Sequence, residues 1–276
     1  MHIGLGLPIA DPRALLTWAR LADAGPFRTL GLLDRVVYGN PEPLVTLAAL
    51  AGATTRIRLQ TEVLITPVRE TSLLAKQCAT LDRMSDGRFT LGVGLGGRED
   101  DYRVTDTSFV HKGRQLDAQM ALLKQIWSGK EIGPKPSRPI EVLFGAFAPA
   151  AIERIARWGD GLLCAASLDY AGDLVAMLHS SWERAERPGR PRLVGQVNVA
   201  LGPDSVVEQA KREITGYYSF SPRASSIAER LITTPHGIRD AVSGFADLGA
   251  DEVILYCWSP AAGQVEDLAR LAVDLN

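Results

Sequence analysis

The chain has 276 residues, 46% hydrophobic and 22% charged, with 26 Gly and 16 Pro, the profile of an ordinary globular protein. Thirty Lys and Arg balance 32 Asp and Glu to a formal charge of −2, which argues against nucleic acid or an anionic membrane as the main partner. Cys78, Cys164 and Cys257 are far apart and have no CxxC spacing, so they read as reduced thiols packed as small hydrophobes.

The first segment, Met1 to Pro8, lacks the basic flank and apolar run of a signal peptide and reads as a strand over Ile3–Leu7. A helix over Pro12–Ala24 follows. Next come the strand Thr29–Asp34 with helix Pro43–Thr54, then the strand Ile57–Ile65 with helix Ser72–Met84. The fourth strand, Phe89–Leu95, is followed by a polar loop and a helix over Gly113–Trp127. The fifth, Glu141–Phe147, runs straight into Pro149–Trp158, and the sixth, Gly161–Ala166, precedes a helix over Gly172–Arg184. The seventh, Leu193–Leu201, leads into a long helical excursion over Asp204–Leu231, and a helix over Ile238–Leu248 brings the chain to the eighth strand, Glu252–Cys257. Val265–Leu275 closes the chain. No apolar stretch reaches the roughly 20 residues of a membrane span, and the expected location is the cytoplasm.

Strands apolar on both faces, each followed by a helix, belong to a parallel sheet covered by helices. Eight such units predict an α/β fold of the (β/α)8 TIM-barrel type, forming a single domain over residues 1–276. An open dinucleotide-binding sheet would want GxGxxG after the first strand, but Gly4-Leu5-Gly6-Leu7-Pro8-Ile9 lacks the third glycine. Pro12, Pro43 and Pro149 sit where a first helical turn tolerates a missing N–H. Gly25, Gly87, Gly159 and Gly249 fall just past helix ends, where a left-handed residue is wanted.

In such a barrel, residues at and after the C-terminal ends of the strands face the site. Asp34 and Arg35 end an apolar strand abruptly; they read equally as a polar contact to a ligand or as an ion pair at the rim. Glu62, inside an apolar run, needs a partner or a raised pKa, because a desolvated carboxylate is costly. Pairing with Arg35 or Arg69 and an acid/base role are both open. In the stretch Gly92-Val93-Gly94-Leu95-Gly96-Gly97-Arg98, alternate glycines let the backbone approach a flat ligand or a phosphate. Arg98 is the cation there suited to a phosphate or carboxylate, and Tyr102 and Phe147 offer apolar wall. Ala146-Phe147-Ala148, just before a helix, places amides where an anion binds well, or is simply a tight turn. His111 falls near the mouth, His2 and His179 read as structural or exposed, and His236 is a candidate cap. No pair of ligands has metal spacing on one helix face, so no metal is expected.

Several runs resemble the luciferase-like monooxygenases and their deazaflavin-dependent relatives. They are Leu64 to Arg69, Leu74 to Gly94, Gly113-Arg114-Gln115-Leu116-Asp117, Ile126-Trp127-Ser128-Gly129, Ala156 to Gly161 and Ala246 to Val253. The resemblance implies a flavin-dependent oxidoreductase that binds reduced FMN, or a deazaflavin coenzyme of the F420 type, across the barrel mouth. It implies a non-prolyl cis peptide at Glu62–Val63 behind the ring, and a phosphate near the loops after strands four and five. On that basis Asp34, Arg35 and Glu62 are expected to tune protonation. Glu62, Val63, Gly94, Gly96, Arg98, Tyr102, Ala146, Phe147 and Ala148 are expected to hold the cofactor. The expected reaction is two-component monooxygenation of a small organic substrate, with a separate flavin reductase and a homodimeric assembly. Hydride transfer to or from the deazaflavin, and a non-catalytic flavin-binding barrel, are the alternatives. Two positions depart from relatives: Leu95 stands where bacterial luciferases carry Arg, and Ala148 where Ser or Thr is common. Deazaflavin sugar-phosphate dehydrogenases match a catalytic Glu to Gly97 and a catalytic His to Arg35, so their activity is not expected.

Overall fold

The computed structural model describes residues 1–8, 11–261 and 263–275. In chain order the elements are β1 (His2–Gly6), α1 (Pro12–Ala24), β2 (Thr29–Leu32), α2 (Pro43–Ala53), β3 (Arg58–Thr61), β4 (Leu64–Ile65), α3 (Thr71–Met84), β5 (Phe89–Gly94), α4 (Glu99–Val104), α5 (Lys112–Ser128), β6 (Glu141–Gly145), α6 (Pro149–Trp158), β7 (Gly161–Cys164), α7 (Leu168–Arg184), β8 (Arg192–Val199), α8 (Asp204–Tyr217), α9 (Ala224–Glu229), α10 (Pro235–Asp247), β9 (Glu252–Cys257) and α11 (Gln264–Val273). The sheet runs β3-β2-β1-β9-β8-β7-β6-β5-β4 and closes through β3–β5, with every pair parallel. β3 and β4 are one stave broken by a bulge, so the barrel has eight staves. Leu59 pairs with Phe89 but Leu64 with Val93, a slip of one residue across the break. The cis peptide expected at Glu62–Val63 lies in that break.

Alternation along each strand sorts side chains into two layers. Outward residues such as Ile3, Leu5, Leu59, Leu91, Phe144, Leu162 and Leu255 pack under the helices in the larger core, each worth about 1.5–3 kcal/mol when fully buried. Inward residues Leu143, Leu163, Val194, Ile254 and Tyr256 fill the barrel together with Ile214 and Tyr217 of α8 and Ala228 of α9. The α8–α9 excursion therefore covers the C-terminal mouth, and it returns beside β8, where Ala200 donates to the Ile232 carbonyl.

Much of the inner wall is glycine, and larger neighbours occupy the space. A Cβ on Gly6 would strike the Tyr256 ring, one on Gly31 the Glu62 carboxyl, and one on Gly94 the Val63 side chain. Pro12, Pro43 and Pro149 do open helices. Of the four cap glycines, Gly87 and Gly249 take positive φ, but Gly25 and Gly159 are extended. Those two helices end on an ordinary bend and need no left-handed residue. Thr234, not His236, caps α10, its hydroxyl accepting from the Gly237 amide, while His236 sits exposed in the first turn beside Asp240. All three cysteines are buried and free.

Candidate active site

Four strand ends and the excursion define the mouth. At the end of β2 the chain turns out through Asp34 and Arg35, both buried. Asp34 makes a two-pronged ion pair with Arg69 at 2.7 and 3.0 Å and accepts from the Ile65 amide, which ties β2 to β4. Burial works against the Arg69 charge, but the Asp34 carboxylate more than restores it, so the guanidinium titrates above its usual range. Arg35 pairs with Asp101 at 2.7 Å and Asp100 at 3.0 Å. Asp101 also accepts the Val36 and Val37 amides, so the loop after β2 is pinned to α4, a helix inside the stretch read from sequence as a polar loop.

Glu62 therefore pairs with neither Arg35 nor Arg69, contrary to one expectation, because both cations are already committed to aspartates. Its carboxyl lies inside the barrel against Gly31, with Oε1 accepting from the Gln60 amide at 2.7 Å and Oε2 buried without a partner among the described residues. Burial pushes this carboxyl up to about 8; the Gln60 amide opposes the rise and the nearby Glu252 carboxyl adds to it. Glu62 thus carries its proton at neutral pH, with the Tyr256 phenol, itself pushed well up by burial, close by.

Val63, half-buried, emerges on the mouth side of the bulge. Its methyls lie against Gly94 and Gly145, where any Cβ would come within 2.3 and 3.2 Å. The loop after β5 is held from behind: the Tyr102 hydroxyl donates to the Leu95 carbonyl, and the Lys112 ammonium donates to that of Gly96 at 3.0 Å. In a trans peptide the N–H points opposite the C=O, so the Gly96 and Gly97 amides face away from α4 and α5. Gly96 has φ +64°, which favours glycine and curves successive amides into an anion-binding concavity.

Arg98 is 7% exposed. Its guanidinium is sandwiched between Tyr217 at 4.2 Å and Phe220 at 4.1 Å and donates to the Tyr217 carbonyl. It fastens the β5 loop to the end of α8 instead of pointing freely at an anion. Tyr38, Tyr217, Tyr218, Tyr256 and Trp258 pack edge to face or tilted against one another beside it, with Trp258 donating to Asn198. Across the mouth Ala146 is buried, while Phe147 and Ala148 are exposed at the rim. The Tyr170 hydroxyl fixes the Phe147 carbonyl at 2.7 Å, and Ala148 begins α6 without a side-chain cap.

The structure thus gathers Glu62, Val63, Gly94, Gly96, Ala146 and Ala148 around one opening. Asp34, Arg35, Arg98 and Tyr102 lie in the frame that holds its loops. Gln60, Tyr217, Tyr218 and Trp258 were missed from sequence. Gln60 had a signal, since it lies two residues before Glu62 on the same strand face; Tyr217 has none, being brought in by a separate excursion. Among the described residues, no group of three or more His, Cys, Asp or Glu is placed to hold a metal, and no helix is long and apolar enough to cross a membrane.

The family model described as luciferase-like monooxygenase matches residues 2–243. The chain belongs to the luciferase-like monooxygenase family. It is an oxidoreductase-type enzyme of that family. Two uncharacterized proteins of Mycobacterium tuberculosis are similar to it. One is 32% identical over 175 residues, taking in 50% of this chain and 61% of the relative; the other is 30% identical over 260 residues, taking in 78% and 90%. The luciferase-like fold recurs in a monooxygenase of Streptomyces bottropensis at TM-score 0.81 and 20% identity, over 99% of this chain and 97% of that one. It recurs also in an F420-dependent secondary alcohol dehydrogenase at TM-score 0.86 and 16% identity, over 100% and 99%. The FMN-bound oxygenating constituent of 3,6-diketocamphane monooxygenase from Pseudomonas putida matches at 0.74 and 14%, over 99% and 96%.

The mouth fits the kind of group such enzymes hold. Val63 offers a side chain as backing for a flat ring, and Gly94 and Gly145 leave the wall beside it bare. The tail of such a group would meet backbone amides of the β5 loop and the first turn of α6, since Leu95 and Ala148 offer neither cation nor hydroxyl and Arg98 is committed to the Tyr217 carbonyl.

Proposed function

We propose that this protein is a flavin-dependent monooxygenase that takes reduced FMN from a separate reductase and acts on a small, largely apolar organic molecule. The observation that carries this reading is Val63, displaced by the Glu62–Val63 bulge into the mouth against two bare glycines. Bound there, reduced FMN would supply the electrons that activate O2 for insertion of one oxygen atom into the substrate. The chain's own residues do the rest. Val63, Gly94 and Ala146 seat the ring, and the amides at Gly96, Gly97 and the start of α6, beyond Ala148, take the phosphate. Phe147 forms rim, and the aromatic cover from α8 excludes water. Glu62 holds a proton at its carboxyl beneath the ring seat. Asp34, Arg35, Arg98 and Tyr102 act through the loops they fix and are positioning residues.

Anaerobic titration of the apoprotein with reduced FMN, and in parallel with a deazaflavin of the F420 type, tests this. Reduced FMN is expected to quench tryptophan fluorescence and to raise the unfolding temperature, and Val63→Trp to abolish both effects. Preference for the deazaflavin would replace oxygen insertion by hydride transfer at the same seat. Binding of neither would leave a barrel without a flavin function.

A further inference from the structure

TIM-barrel interiors are normally filled by Val, Ile and Leu, and one side of this one is, through Leu143, Leu163, Val194 and Ile254. The β3 stave is polar from floor to mouth, and so is the floor layer beneath those apolar residues on β6, β8 and β9. The three inward positions of the β3 stave are Arg58, Gln60 and Glu62, alternating with the outward Leu59. At the floor, Arg192 bridges Glu141 and Glu252 at 2.5 and 2.6 Å, and Arg58 and Thr90 also reach Glu141. Glu141 keeps 26% of its side chain exposed and Arg192 21%, so this end meets solvent. The Thr29 hydroxyl bears on Glu252.

Four buried oxygens in this seam have no hydrogen-bond partner among the described residues: Thr29 Oγ1, Glu252 Oε1, Gln60 Oε1 and Glu62 Oε2. Among the described residues only eight side-chain atoms share that state, and their concentration in one seam sets it apart from the apolar core of the barrel. Buried polar atoms of this kind are satisfied by ordered water, and a file of such water conducts protons. The groups that face Glu62 are Gln60 from its own stave, Tyr256 and, further down, Glu252 from β9, with only the Gly31 backbone from β2. Among the described residues no cation neutralises it.

We propose that this polar seam is a proton route through the barrel floor, by which Glu62 exchanges its proton with solvent while the mouth is covered. The proposal rests on the reading of Glu62 as the proton-holding group of the site. A proton leaving the Glu62 carboxyl toward the mouth leaves a carboxylate, which takes one proton back from water beside Glu252 and Gln60. One proton is thereby moved from solvent to the site, and no electron moves. Arg58 and Arg192 keep their charge throughout and hold the floor carboxylates in place.

The test uses apoprotein, so its outcome is independent of which cofactor binds. Infrared spectroscopy near pH 6 should show a protonated carboxyl band that Glu62→Gln removes. On mixing into D2O that band should shift quickly in the natural protein. In Gln60→Leu and in Glu252→Gln the shift should slow at least about tenfold, because only local opening then remains as a route. Tyr217→Ala, which loosens the mouth, should leave the rate in the natural protein unchanged. Equal rates in all four proteins, or acceleration by Tyr217→Ala, would place proton entry at the mouth and overturn the route. Absence of the band overturns it too. Should Gln60→Leu fail to fold, Glu252→Gln carries the same prediction at the far end of the seam.

Discussion

Removing the charge from Glu62 is expected to stabilise the protein at alkaline pH. A glutamate in the unfolded chain titrates near 4.5, whereas Glu62 in the fold is pushed up to about 8 by burial. The native state therefore holds the proton more tightly, and stability that is fully present below pH 4.5 is lost as pH rises through 8. The loss is on the order of a few kcal/mol by linkage. Glu62→Gln keeps the shape and removes the titration, so its unfolding temperature should exceed that of the natural protein at pH 9 and approach it at pH 5. Parallel melting curves for the two proteins across that range would contradict the assignment. Asp34, equally buried, is pushed up by burial as well, but there Arg69 against both of its oxygens opposes the rise.

At the scale of elements, the strands and helices were legible because the barrel repeats one pattern. Pro12–Ala24, Pro149–Trp158 and Glu252–Cys257 fall where the sequence puts them. Three features were not legible, each for a physical reason. The run Ile57–Ile65 reads as continuous because a one-residue bulge leaves hydrophobicity unchanged, although it reverses which face the later residues occupy. The charged opening of α4, Glu99-Asp100-Asp101, suits a helix start electrostatically but looks like a loop by composition. The excursion splits into α8 and α9 at Tyr218–Arg223, where Pro222 interrupts the helix. The candidate site was legible in its strand-end residues, whose place in a barrel follows from topology. Its cover was not, because Arg98 and Tyr217 meet only through tertiary packing. The glycine wall gives a test at this scale. A Cβ on Gly92 would lie 1.9 Å from the Thr61 carbonyl oxygen, which is backbone of the neighbouring stave and cannot turn aside. Gly92→Ala should therefore cost about 3 kcal/mol or more, read as a loss of unfolding temperature. Gly39→Ala, with open space around its position, serves as the neutral control.

At the scale of the whole molecule, α2 is the element that does not suit a monomer. Pro43 to Ala53 contains no charged residue. Leu44, Leu47, Leu50 and Ala51 face the core, but Val45 is 69% exposed, and Ala49 and Gly52 lie exposed on the same outer side. A helix apolar all round is normally covered. On the helices flanking it, Leu21 of α1 and Leu73 of α3 are also exposed, at 39% and 55%. A twofold pairing sets one patch against its own copy, and an uncharged, small-residue stripe is complementary to itself, since no like charges meet. We therefore expect a homodimer through α2 with α1 and α3, burying on the order of 800 Å² per subunit. Light scattering after size exclusion should give twice the mass of the chain. Val45→Asp with Leu73→Asp should give the single mass with an unchanged circular dichroism spectrum, because both side chains are more than half exposed in one subunit. A natural protein that runs as a monomer at micromolar concentration would remove the dimer. If it runs as a dimer and the double variant does too, the contact lies on another face, and the bare stripe of α2 then serves a different partner.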